Sequence, residues 1–253
     1  MNLSEMTWPA VAALDKNTPV IIPVAALEQH GHHLPVFTDS MLLGEIMRRA
    51  AQKLSDRVLL APLLWLGNSD HHLDFPGTLS AQPRTYLDVL SGLAENFLSH
   101  GFKRIVFING HGGNDVPGKQ ALFEVRQRQR QRTDLLLMFA TYWHLVEGVA
   151  DAVPNGLQHE MGHACEWETS MILRIAPHLV DPGYTQLESV PFGDAFSPAF
   201  RAWITRERTV PGHIGDPQHA TAEKGEVLLT VFSQGVIDLL ERVLRWDGIS
   251  WNG

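Results

Sequence analysis

Val20-Ile21-Ile22-Pro23-Val24-Ala25-Ala26, running on through Leu27 into Glu28-Gln29-His30-Gly31, is the stretch from which the chain is best read. A short, unbroken apolar run predicts a strand buried on both faces, as in a parallel sheet covered by helices. At its carboxyl end, where open α/β sheets hold ligands, stand a carboxylate, an imidazole two residues on, and a further carboxylate at Asp39. Mixed oxygen and nitrogen donors suit a divalent cation. Helix capping by Asp39-Ser40 competes as an explanation of Asp39, but it accounts for neither Glu28 nor His30.

Outward from this stretch, strands and helices alternate. Asp39 to Leu54 predicts a helix, and Val58-Leu59-Leu60-Ala61-Pro62-Leu63-Leu64-Trp65 a second strand. Gln82 to His100 predicts an amphipathic helix closed by Gly101. Arg104-Ile105-Val106-Phe107-Ile108 reads as a third strand, followed by a helix from near Pro117, and Leu135 to Ala140 reads as a fourth. Further helices are expected from Ala164 to Ile175 and from Ala222 to about Arg245. The alternation predicts a single α/β domain over residues 1–253, a three-layer sandwich whose central, mostly parallel sheet is flanked by helices. Gly67 to Ser80 and Asp181 to Asp216 carry little periodicity, so each is expected to form a binding loop, a lid or a subunit contact.

Composition narrows the function. A net charge of -8 over 253 residues offers no footprint for nucleic acid. The Arg-Gln repeats between Arg126 and Arg132 read as a solvated helix face. No apolar stretch is long enough to span a bilayer, and the N-terminus lacks a secretory pattern. The single cysteine, Cys165, excludes an intramolecular disulfide and suits a reducing compartment, so a cytoplasmic, soluble protein is expected. Thirteen histidines stand out, and several gather at strand-to-loop junctions: His30, His32, His33, His71, His72, His111, His159 and His163.

Two further constellations follow. Asn109-Gly110-His111-Gly112-Gly113-Asn114 puts His111 at the end of the third strand, amid small residues that let backbone approach a ligand. A phosphate loop is excluded, because neither the dinucleotide fingerprint nor a Lys-Ser/Thr pair is present. His159-Glu160-Met161-Gly162-His163 is a literal His-Glu-x-x-His, but Pro154-Asn155-Gly156 upstream and Gly162 within argue against the helix that a zinc peptidase motif needs. With a helix starting near His163, His163 and Glu166 share a face while Glu168 points nearly opposite. Glu166 is then the expected metal ligand, Glu168 a supporting or buried acid, and Cys165 packing.

Together, Glu28-x-His30-Gly31 with Asp39, Asn109 to Asn114, and His163-Ala164-x-Glu166-x-Glu168-Thr169-Ser170 resemble the motifs of the creatininase (creatinine amidohydrolase) family. Ser69 and His72 with Phe75-Pro76-Gly77-Thr78 resemble its middle segment. Gly215-Asp216-Pro217 with Ala220 to Gly225 resembles its C-terminal one. The likeness covers roughly Pro23 to Gly225.

The resemblance implies two divalent ions per chain bridged by Asp39, with Zn expected first and Mn, Fe or Mg as alternatives. Glu28 and His111 would complete one site, His30 and Glu166 the other. It also implies a homo-oligomer, often a hexamer, acting on a small molecule. Creatininases proper carry a glutamate two residues after the histidine of the third motif, where this chain has Gly113, which weakens creatinine as the substrate. The expected reaction is hydrolysis of a C–N bond by activated water, with His163 protonating the leaving nitrogen and Glu166 assisting. Tyr142, Trp143, His72 and Ser69 are candidate substrate contacts, Tyr142-Trp143 matching an aromatic gate of creatininases. The same site could instead open a cyclic diketone or a lactone.

Overall fold

The computed structural model describes residues 1–156, 158–193, 196 and 198–251. Four parallel strands, β1 (Val20–Val24), β2 (Leu59–Leu60), β3 (Arg104–Asn109) and β4 (Leu136–Thr141), lie in the order β2-β1-β3-β4. Helices α1 (Trp8–Ala12), α2 (Thr38–Leu54), α3 (Pro83–Ser99), α4 (Asp115–Arg128), α5 (Val149–Ala152), α6 (Glu166–Ile175), α7 (Thr205–Arg208) and α8 (Ala222–Arg245) surround them.

The period-two side-chain pattern of the strands splits the core in two. Ile21, Val106 and Ile108 point into a layer packed by α2, α6 and α8, with Leu43, Ile46, Met171 and Phe232 among the buried residues. Val20, Ile22, Ile105 and Phe107 point the other way, onto Tyr86, Leu90, Ala121 and Val125 of α3 and α4. The expected three-layer α/β sandwich is therefore the observed one. On the first face α8 lies so close to α6 that a Cβ on Gly225 would stand 2.0 Å from the Ser170 carbonyl, which makes glycine obligatory there.

Strand order places the site. After β1 the chain moves one way to β2 and then returns to the opposite side for β3, so β1 and β3 flank a topological switch point. Their register pairs Val24 with Asn109, so the segments leaving both strands start side by side. Glu28, His30 and His111 thereby share one edge.

Two predicted elements differ. Of Val58 to Trp65 only Leu59–Leu60 joins the ladder; Pro62 has no N–H to give, and pairing resumes only as a Val24–Leu64 bridge. Helix α6 begins at Glu166, after Ala164 adopts a left-handed φ of +47°. Among its described residues Asp181 to Asp216 carries short helical turns, α7 among them, and an isolated Val190–Gly215 bridge; residues 194, 195 and 197 lie outside those described. Among the described residues, no helix is long and apolar enough to cross a membrane.

Candidate metal centre

Asp39 sits in the first turn of α2 and Glu168 in that of α6, where the helix dipoles favour a carboxylate. Asp39 does not cap its helix: α2 has no side-chain cap. Its two oxygens diverge instead. Oδ1 lies 3.0 Å from His30 Nε2 and Oδ2 lies 3.1 Å from His111 Nδ1. Glu168 Oε1 stands 3.7 Å from the same His30 nitrogen, and Glu28 Oε1 stands 3.3 Å from the same His111 nitrogen. A carboxylate with one oxygen in each of two N/O pockets has the shape of a bridging ligand.

The protons on these rings can be assigned from their partners. His30 Nδ1 lies 3.1 Å from the Glu28 carbonyl, His111 Nε2 2.9 Å from the Asn68 carbonyl and His163 Nε2 2.8 Å from the Gln29 carbonyl. A carbonyl only accepts, so each of these nitrogens donates. The opposite nitrogens, when the rings are neutral, present bare lone pairs to Asp39, Glu28 and Glu168, with His163 Nδ1 3.6 Å from Glu28 Oε1. Lone pairs facing carboxylate oxygens in a buried site repel unless positive charge lies between them. Backbone-anchored imidazoles are also how proteins orient metal ligands. Glu28 Oε2 and Asp39 Oδ2 are buried without a hydrogen-bond donor, so the residues fit divalent cations.

Electrostatics agree. Burial opposes a charge on His111, yet Glu28 and Asp39 push the ring up to about 10. Despite burial, His30 is raised well above its ordinary value, chiefly by Asp39. Burial alone would raise Asp39, but His30 and His111 hold it below the ordinary carboxylate range. Burial and the neighbouring His30 press His163 down to about 3, which keeps that ring neutral. His72 differs in kind. Its Nδ1 accepts from the Gln29 amide at 2.8 Å and the Thr205 hydroxyl at 3.0 Å, so its Nε2–H donates toward Glu28 Oε1 at 3.4 Å.

The creatininase profile (creatinine amidohydrolase) matches residues 4–240. A creatinine amidohydrolase of Pseudomonas putida is 31% identical, covering 94% of this chain and 95% of its own. The chain belongs to the creatininase family. A mycofactocin precursor peptide peptidase of Mycobacterium ulcerans is 28% identical over 95% of this chain and 86% of its own. A 3-dehydro-scyllo-inosose hydrolase of Thermotoga maritima is 32% identical over 64% of this chain and 51% of its own. Solved creatininases in a Zn-Zn form and a Mn form superpose with TM-score 0.82 at 27% and 26% identity, covering 97% of this chain and 98% and 99% of theirs.

Within this creatininase-family site, the expectation for Glu166 is corrected. Glu166 does not line the cluster of His30, Asp39 and His111: its Oε1 accepts from Lys224 Nζ at 2.5 Å and its Oε2 from the Gln158 N–H at 3.0 Å. Because α6 starts at Glu166, His163 lies outside the helix, and the face argument that favoured Glu166 does not apply; Glu168 is the acid beside His30. Gly113 cannot supply a carboxylate either. A Cβ there would meet the Asn68 carbonyl at 2.1 Å and His111 Nε2 at 2.5 Å.

The His-Glu-x-x-His segment is not helical and His159 is exposed, which removes the zinc-peptidase alternative. Cys165 is buried, its thiol pushed up to about 12 by burial, and it packs as expected.

A cavity of about 570 Å³ opens over the cluster. Trp143 and His72 line it, as do Glu28, Asp39, His111, His163 and Glu168. Tyr142 does not: it is buried in the core, edge-on to Phe232 at 5.1 Å. Ser69 is also buried, behind His111 with its hydroxyl 3.3 Å from Nε2. Of the other histidines, His71 lines the cavity, His32 is exposed, and His33 Nε2 pairs with the Thr169 hydroxyl at 2.8 Å. Trp203 and Arg208 were not foreseen; they come from the aperiodic stretch after α6, where only their composition set them apart.

Proposed function

We propose that this chain is a metal-dependent amidohydrolase that cleaves a C–N bond of a small molecule with two divalent cations, Zn or Mn. The observation that carries the reading is the set of three imidazoles, each with one ring nitrogen anchored on a backbone carbonyl and the other turned toward a buried carboxylate. Glu28, His111 and one oxygen of Asp39 would hold one cation; His30, Glu168 and the other Asp39 oxygen the second. When bound, such cations polarise the scissile carbonyl and lower the pKa of water.

The remaining steps fall to the protein. His163 lines the cavity with its Nε2 on the Gln29 carbonyl, and its Nδ1, beside Glu28, would take a proton from water and return it to the leaving nitrogen. His72, holding its N–H toward Glu28, steadies that carboxylate. Trp143 closes one wall and limits the size of the bound group.

A test uses the purified protein as isolated, after chelation, and after return of Zn or Mn. Cyclic amides, formamides, short peptides, lactones and cyclic ketones are each assayed. Amide turnover lost on chelation and regained with metal is the expected result. Turnover confined to lactones or ketones would overturn the C–N assignment while leaving the metal site standing.

A further inference from the structure

Within the cavity over the candidate metal centre, acidic and neutral residues dominate the lining, and Arg208 is the one lysine or arginine among the described lining residues. Its guanidinium is fixed on two sides. Nη2 donates to the Phe192 carbonyl at 2.7 Å, and the group lies over the Trp203 ring at 4.9 Å from the centroid. Among the described residues no carboxylate pairs with it, Glu160 of the same cavity included. A guanidinium carries five N–H donors, so several remain to be used. The group is also tied to the cluster. Thr205 and Arg208, the first and last residues of α7, stand three apart and share a helix face. Thr205 holds His72 Nδ1 at 3.0 Å, and His72 in turn faces Glu28. The guanidinium is thus stationed on the wall by the same short turn that braces the floor.

We propose that Arg208, laid on Trp203, is an anion subsite that selects substrates bearing a carboxylate besides the bond to be cut. The proposal rests on the hydrolase reading above and specifies its substrate class. The planar fork of arginine matches the two oxygens of a carboxylate. Sharing the cavity with an acidic floor, it orients a bipolar substrate: the reacting carbonyl goes to the cluster, and the anion goes to the guanidinium rather than to Glu28, Asp39 and Glu168.

The probes are N-acetyl-β-alanine and its primary amide, which differ by one charge. Their binding is measured by calorimetry on zinc-loaded and metal-stripped protein, wild type and Arg208→Gln. In wild type the carboxylate should bind at least about 10-fold tighter than the amide, the scale of a charged hydrogen bond. Arg208→Gln should bring the two probes to parity, and Arg208→Lys, which keeps the charge but loses the fork, should fall between. If Arg208→Gln fails to fold, the lysine variant carries the test through its reduced preference.

Equal affinities in wild type, no binding of either probe, or a preference that survives in Arg208→Gln and tracks metal loading instead would overturn the subsite. A protein that hydrolyses no amide yet keeps an Arg208-dependent preference would discard the amide reaction and retain the subsite. The two failures are therefore distinguishable.

Discussion

Glu28, Asp39 and His111 reach the cavity from two strand ends and a helix N-terminus, with His30 buried behind Asp39, whereas Trp203 and Arg208 reach it from a connection of short turns between α6 and α8. The first group inherits its geometry from the ladder between β1 and β3, which fixes where both segments emerge. The second depends on single contacts, such as Thr205 on His72 and Arg208 on a carbonyl. Chemistry that must hold within tenths of an ångström sits on the sheet edge. On the reading proposed above, substrate discrimination would sit on the connection, where sequence can change without disturbing the core.

Asp39→Asn should show the largest effect, because one side chain serves both halves of the floor. Loss of both metal equivalents and a fall in kcat/KM of about 10⁴-fold are expected, since several kcal/mol of charge stabilisation go with the cations. Elemental analysis and steady-state kinetics check it. Retention of two equivalents would mean that the divergent Asp39 oxygens do not bridge. His163→Gln follows, with kcat reduced about 10²- to 10⁴-fold and metal content intact. A matching loss of metal would make His163 a ligand rather than a proton carrier.

Glu166 and Glu168 separate floor from frame. Glu168→Gln should lower bound metal toward one equivalent with little change in stability. Glu166→Gln should leave metal content per folded chain unchanged but destabilise by about 3–5 kcal/mol, because Lys224 loses its buried partner. Denaturant unfolding and elemental analysis together decide between them. Adding Gly113→Glu to Glu168→Gln should not restore the metal, given the 2.1 Å approach of the Asn68 carbonyl to a Cβ at that position.

This pair also marks how far the residues could be read in advance. The parallel α/β architecture follows from the alternating apolar runs, and the placing of Glu28, His30 and His111 at carboxyl strand ends follows from where those runs stop; that β1 and β3 are neighbours, which brings these residues together, is a matter of strand order that the runs do not encode. The choice between Glu166 and Glu168 turned on where α6 begins, and two residues of helix rotate a side chain by about 200°. Nothing in the sequence signals that Ala164 takes a left-handed φ and delays the helix. Trp203 and Arg208 were hidden for another reason. Their stretch has no period, and what aims them inward is contact with Phe192 and with each other, more than ten residues away in one case and five in the other.

The smallest effect is expected at the aromatic pair Tyr142-Trp143, and it tests the boundary between wall and core. The two rings meet edge to face at 4.9 Å, yet only Trp143 lines the cavity. Trp143→Phe should therefore raise KM about fivefold with kcat nearly unchanged, the scale of one lost aromatic contact of about 1 kcal/mol. Tyr142→Phe should leave KM alone, since the ring's contacts with Phe232 and the surrounding core survive the loss of the hydroxyl. If Tyr142→Phe instead raised KM as much as Trp143→Phe, the tyrosine would have to swing into the cavity during binding. The wall would then be a moving part, and its aromatic residues would act as a gate over a fixed floor.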